Sequence, residues 1–465
     1  MASRTVADEL SAFAGGLEYD ALPVSVREAA KLHLLDAIGV AYASASFDFA
    51  KTTLDALKGF GGGDHVVIGM PEKLQLRDAV LTNGVLIHGL DFDDTSIFGR
   101  VHPSSFVVPC VLGMGAFANA SGKDALAAYV AGVECAIRIG SVAKGGFQRA
   151  GFHPTGVVGA FGCAIAAGRL LGLDPERLTM AQGIVYSAAA GNNEFTANDA
   201  WTKRMHSGWA GVAGITAAML ARGGFVGPRT PYEGRAGLYR TYLGAQAECD
   251  PHTATEQLGT RWELERVAFK PIASCHFNHA IINATSALVI EHDLAPADIR
   301  SIRAFVPEPA VNTVCEPAST KRVPTDIYGA QFSVYYAAAC AAVHRRYALA
   351  DLRDRGLADP AIRAMAEKVS YAVDTASNFP QHYSGAVEIT THDGRQFQMR
   401  EDVNVGSWER PMTRAQIEAK FLENAQLVVS NERARAICDA VLNLERAANV
   451  AQLTGRLGLA GLNPN

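Results

Sequence analysis

A mainly α fold, with a smaller α+β unit inserted late in the chain, is predicted by three observations on the 465 residues. Helix starts and helical apolar spacing run from the N-terminus to about residue 265. Period-two alternation gathers between about 268 and 402. Helical spacing then returns after Gly406. The predicted organisation is one large all-α helical domain made of residues 1–267 plus 403–465, with an α+β domain of residues 268–402 set between them.

The elements follow in order. Ser25 with Glu28, and Ser121 with Asp124, have capping-box spacing, in which a hydroxyl takes a free backbone N–H and the carboxylate reaches back. They predict helices through "REAAKLHLLDAIGVAYAS" and "DALAAYVAGVECAIRIGSVA". "GFGGGDHVVIG" (59–69) lacks both the third glycine of a dinucleotide loop and a Gly-Lys-Ser/Thr, and is expected to be a plain loop. "GAFGCAIAAGRLLGL" and "AGVAGITAAMLARGG" are rich in Ala and Gly, which predicts helices packed at close axial distance in a buried centre. Strands are predicted at "IRSIRAFV" (299–306), "KVSYAVD" (368–374), "AVEITTH" (386–392) and "RQFQM" (395–399). Asp393-Gly394 supplies a hairpin turn between the last two. Helical pieces are expected around 278–292 and 329–346, and Thr413 with Gln416 opens another helix, through "IEAKFLENAQLVV". The last sixty or so residues are too few for an independent domain and are expected to pack back on the helical part.

With 49% hydrophobic residues and a formal net charge of -5, the chain is not of a disordered type, and it lacks the basic excess that binds nucleic acid. A small-molecule partner is expected. Eight cysteines stand singly without a CxxC pair, as reduced thiols of a cytoplasmic protein would. "MASRTVADELSAFAGG" is too polar for a secretory signal, and Asp8 and Glu9 disfavour a transit peptide. The most apolar stretch, residues 156–173, is interrupted by Arg169 and falls short of the ~20 residues of a spanning helix, so no membrane partner is expected.

"HGLDFDDTSIFGRVHPSS" (88–105) concentrates histidines and aspartates. A magnesium site of the terpenoid-synthase type fails because Asp93 and Asp94 have no aspartate one turn on, and there is no adjacent His-Asp pair for a metal phosphohydrolase. No metal and no cofactor are expected. Acid/base chemistry fits better, because polar groups recur in separate apolar settings. "GFHPTG" places His153 at the mouth of an apolar helix, where free N–H groups and the dipole suit a carboxylate. "WTKRMHSG" sets Lys203 and His206 on one helical face, and "FKPIASCHFNH" holds Lys270, Cys275, His276 and His279. Together these predict a cleft for anionic substrates, in which lysines offset charge developing at carbon and imidazoles move protons.

"HGLDFDDT", "HPSS", "GFHPTG", "WTKRMHSG", "FKP", "GAQFSVYYA" and "PMTRAQIEAKF" resemble, in this order, landmarks of the MmgE/PrpD family, over about residues 20–445. That family includes 2-methylcitrate dehydratases, cis-aconitate decarboxylases and iminodisuccinate epimerases. The resemblance implies a large helical domain with an inserted α+β lid, a homodimer, and no metal. It places active-site positions on Asp91, Thr95, His102, His153, Lys203 and Lys270, and a further contact on Tyr336, with Tyr335 competing. The family's decarboxylases carry a histidine about where Cys275 stands, and His276 is offset by one. The expected function is therefore a cofactor-independent hydro-lyase on a small di- or tricarboxylate resembling 2-methylcitrate. Epimerisation of an amino-dicarboxylate ranks second and decarboxylation third, and a non-catalytic ligand-binding relative is the non-enzyme alternative. His102 would move the proton, Lys203 and Lys270 would hold carboxylates, and His153 would be a second acid/base or anion contact. Asp91 and Thr95 would orient the substrate and a histidine. Asp93 and Asp94 are left for capping or loop geometry, and His88 for a buried structural partner.

Overall fold

The computed structural model describes residues 4–196 and 200–459. Helices make up 57% of it and strands 9%, so the chain is mainly α. The elements that place the site are α1 (Val24–Ala45), β1 (Gly62–Val66), β2 (Lys73–Leu74), α2 (Leu76–His88), α3 (Pro103–Phe117), α4 (Gly122–Val142), α5 (Pro154–Leu170), α6 (Thr202–Arg222) and α7 (His276–Glu291). They continue with β3 (Ile299–Val306), α8 (Val334–His344), β4 (Val369–Val373), β5 (Gly385–Thr391), β6 (Gln396–Glu401) and α9 (Arg414–Ala425).

Helix α5 is the hub: its residues Pro154 to Gly168 are buried, and α3, α4 and α6 pack around it. The Ala and Gly content explains the close packing. A Cβ on Gly162 would lie 2.6 Å from the Gly132 carbonyl oxygen of α4. At the α2–α6 crossing a Cβ on Gly84 would come within 2.4 Å of the Gly208 Cα. Only glycine permits that approach, and it brings the C-terminal end of α2 beside the first turn of α6. Helix α9 packs along α1, so the C-terminal residues do return to the helical part. By length and composition α4 could cross a membrane, yet 94% of its apolar window is buried inside the protein.

Four strands form one sheet in the order β4-β3-β5-β6, parallel between β3 and β4 and antiparallel elsewhere. β3 coincides with the predicted alternation, and burial alternates from Ile302 to Val306, beyond an irregularity between Ile299 and Ser301. The β5–β6 hairpin turns at Gly394, φ 91°, while Asp393 keeps a negative φ. Thr413 and Gln416 make a full capping box, and Ser121 caps α4 by accepting from the Asp124 N–H. Ser25 does not cap: α1 starts at Val24 after Pro23, whose fixed φ already suits a helix entry.

The expectation of an all-α helical domain is corrected: the helical region carries its own antiparallel pair, β1–β2, whose first strand lies inside the stretch expected to be a plain loop. Glycine weakens a strand by propensity, but here it allows the contact, since a Cβ on Gly63 would sit 2.4 Å from the Leu74 oxygen. Residues from 268 onward supply buried wall of the central cavity, with Lys270, Cys275 and His276 all under 9% exposed.

Candidate active site

Four helices aim their N-termini at one cavity of about 450 Å³. His102 is the N-cap of α3 and His153 that of α5, each followed by a proline that needs no hydrogen-bond partner there. Lys203 lies in the first turn of α6, and Cys275 with His276 begins α7. Free N–H groups and positive dipole ends therefore converge with the side chains, an arrangement that favours anions.

The loop between α2 and α3 supplies the rest. Asp91 takes a left-handed φ of 47°, which turns the chain directly after α2. Thr95 and Ala268 exchange backbone hydrogen bonds of 2.9 and 2.8 Å, which fixes the loop against the segment bearing Lys270. Buried Lys420 of α9 donates to the Phe92 carbonyl at 2.9 Å and pairs with Asp36 at 2.7 Å. A helix remote in sequence thus braces the floor of the site.

Asp91 sits between two ammonium groups: Lys203 Nζ is 2.6 Å and Lys270 Nζ 3.1 Å from its Oδ1. Lys270 also donates to the Asp91 carbonyl at 2.9 Å. Burial alone would raise this carboxyl, but the two lysines outweigh it and hold Asp91 well below the usual 3.8. One carboxylate balances one of two cations. The excess charge faces the cavity, where Arg100 and Arg149 add two more.

His102 donates from Nδ1 to the Asp94 carbonyl at 2.9 Å, with Thr95 Oγ1 at 3.3 Å, which leaves Nε2 as the lone-pair nitrogen. Burial first, then Lys270 and Lys203, pushes its conjugate acid well below 6.5. His102 is thus a neutral acceptor at pH 7. His153 Nδ1 lies 3.0 Å from His206 Nδ1. When both rings are neutral only one of these nitrogens carries a proton, so one ring of the pair presents an Nε2–H donor. Burial and His206 lower His153, and burial lowers His206 to about 4.

These shifts have a signed consequence. Between pH 6.5 and about 4 an unfolded imidazole binds a proton that His206 in the fold does not, so stability falls as pH falls through that window. Activity should behave differently. If neutral His102 is the base, kcat/KM stays flat as pH falls through 6.5; a pH–rate profile with a limb at 6.5 would count against it.

Cys275 borders the cavity, and burial with nearby Asp91 pushes its thiol up to about 11, which keeps it protonated. His276 Nε2 accepts from Asn404 Nδ2 at 2.9 Å, and its ring stacks on Tyr383 with centroids 4.3 Å apart. The cavity therefore unites Asp91, Thr95, His102, His153, Lys203, Lys270, Cys275 and His276. Tyr336 is the exception and is corrected: its hydroxyl donates to the Asp351 carbonyl at 2.5 Å, away from the cavity. Tyr335 instead stacks under Arg322, 4.3 Å from the guanidinium carbon. Phe332, just before α8, reaches the cavity in their place and lies under Lys203 Nζ at 4.9 Å.

Sequence reasoning missed Tyr383 and Arg100. Tyr383 stands in a loop without periodicity, whereas Arg100 lay in plain view within the stretch already singled out. His88 is a buried partner, its Nδ1 2.8 Å from Asp93 Oδ2, and Asp94 accepts the Ser104 N–H at 3.0 Å in the first turn of α3. Folding also brings ligand-type atoms of His88, Asp93 and His102 within 4.8 Å of one another, a convergence that linear spacing did not suggest. Two of them already have hydrogen-bond work: His88 bonds Asp93, and His102 donates to the Asp94 carbonyl.

Two sequence models match the chain: the MmgE/PrpD N-terminal domain over residues 8–249 and the MmgE/PrpD C-terminal domain over residues 272–446. Cis-aconitate decarboxylase of Homo sapiens is 28% identical over 473 aligned residues, covering 98% of this chain and 95% of that protein. Cis-aconitate decarboxylase of Aspergillus terreus is 28% identical, with 96% and 95% covered. The Mus musculus protein of the same name is 27% identical, with 98% and 93% covered.

Proposed function

We propose that this chain, which belongs to the MmgE/PrpD family, is a lyase acting on a small tricarboxylate. One observation carries the reading: among the described residues lining the cavity, four cationic side chains, Arg100, Arg149, Lys203 and Lys270, face the single carboxylate of Asp91. That surplus of three positive charges matches a fully ionised tricarboxylate. Lys203 and Lys270 hold the carboxylate next to the reacting carbon and take up the charge that develops as its bond breaks.

Loss of carbon dioxide from an acid resembling cis-aconitate is the first reading, supported by similar decarboxylases aligned over almost their whole length. The C–CO2 bond breaks, its electron pair stays on the carbon skeleton in conjugation with the lysine-held carboxylate, and a histidine returns a proton to carbon. Dehydration of a hydroxy-acid resembling 2-methylcitrate is the second reading. It is favoured by the paired character of the imidazoles and by a thiol at Cys275 where the family's decarboxylases have a histidine. His102 Nε2 would take the C–H proton, the electron pair would form the double bond, and the hydroxyl would leave as water with a proton from His153.

Purified protein incubated with cis-aconitate, 2-methylcitrate and iminodisuccinate separates these outcomes. Carbon dioxide release supports the first reading, rising ultraviolet absorbance from 2-methylcitrate the second, and solvent-proton exchange without net product an epimerase. If no polycarboxylate turns over and none raises the melting temperature, the carboxylate-lyase reading is wrong.

A further inference from the structure

We infer that Arg100 is a specificity-determining residue that binds the substrate carboxylate remote from the reacting carbon, and so selects tricarboxylates over dicarboxylates. The inference rests on the reading above and deepens it. Arg100 lies on a four-residue turn closed by reciprocal backbone bonds between Ser96 and Val101, of 2.8 and 3.2 Å, two residues before His102. Its own φ of 53° sets the turn. The proposed base and this guanidinium are therefore carried by one rigid segment.

The guanidinium is built in rather than loose. It fills space that Gly145 leaves open, since a Cβ there would stand 2.3 Å from Nη1. Nη1 donates to Gln148 Oε1 at 3.1 Å, and the guanidinium carbon lies 5.6 Å from the Phe379 ring centroid. Yet among the described residues no carboxylate forms a salt bridge with it, although the side chain is half-buried in the cavity wall. A held, partly desolvated arginine with donors to spare presents the planar fork that a carboxylate matches two oxygens to two N–H groups.

Lys203 and Lys270 occupy the floor of the cavity around Asp91, so their carboxylate is the one next to the chemistry. Arg100 belongs to a different part of the wall, beside Tyr383, Gln148 and Phe379. A dicarboxylate leaves one of the cavity's three surplus positive charges unmatched, and a third carboxylate placed at Arg100 matches it.

The test uses two unreactive acids, tricarballylate and methylsuccinate, which differ by one terminal carboxyl group. Calorimetric titration of the wild type should give tighter binding of tricarballylate by about tenfold or more, the scale of one charge-assisted hydrogen-bonded contact. Arg100→Met should bring the two dissociation constants together while leaving that of methylsuccinate near its wild-type value. Arg100→Lys, which keeps the charge and loses the fork, should fall between, and it carries the test if the methionine variant does not fold. An equal loss of both ligands, no change in either, or a wild type that does not discriminate overturns the assignment of Arg100 alone. A wild type that binds neither acid overturns the carboxylate-lyase reading first, and this inference with it.

Discussion

Replacing Lys203 by methionine is expected to lower kcat/KM by about 10³-fold, the scale seen when one donor to developing negative charge is removed, while leaving the melting temperature within a few degrees of wild type. The separation follows from the geometry around Asp91. Lys203 Nζ touches Oδ1 at 2.6 Å, but Lys270 remains at 3.1 Å and also holds the Asp91 carbonyl. Removing Lys203 therefore leaves one buried carboxylate facing one buried ammonium, which is a balanced pair. Methionine keeps the stem's packing and suits contact with the Phe332 ring, over which Lys203 Nζ now sits at 4.9 Å. What disappears is the surplus charge that the substrate meets. Steady-state kinetics and a thermal melt on the same preparation decide the matter. Less than tenfold loss of kcat/KM would remove Lys203 from the chemistry.

How much of this could be read beforehand depended on whether a signal was local. The alternation in "IRSIRAFV" reports a strand because each residue's burial is set by its own parity, and β3 coincides with it. The glycines at 59–69 point the other way locally. The value of Gly63 lies in the backbone of Leu74, which no short window around the glycines shows to be near. Histidine and lysine in apolar settings marked His102, His153, Lys203 and Lys270 as unusual, but nothing in their spacing says that four helix starts meet. That depends on glycine contacts such as Gly84 with Gly208, between helices more than a hundred residues apart in the chain. Tyr336 was misplaced for a related reason: Ser333 caps the helix by accepting the Tyr336 N–H at 2.9 Å, and this fixes the rotation that turns the ring toward Asp351.

Asp91→Asn should act on the fold first and on catalysis second. Asparagine tolerates the left-handed backbone that φ of 47° demands, so the substitution tests the charge rather than the turn. It leaves two buried ammonium groups on one neutral amide, and breaking a buried pair in this way typically costs about 3–5 kcal/mol. The melting temperature should drop sharply, in contrast to Lys203→Met, because that substitution restores balance and this one destroys it. A bound polyanion should then replace the missing carboxylate's charge. Tricarballylate is accordingly expected to raise the melting temperature of Asp91→Asn by more than it raises that of the wild type. If the variant melts like wild type, the two lysines do not depend on Asp91 for compensation. If it is destabilised but tricarballylate restores it no more than it stabilises wild type, the surplus charge is not what receives the ligand. Asp91 would thus serve the empty site: it holds two cations together until a substrate arrives, and its single charge leaves room for the substrate's own.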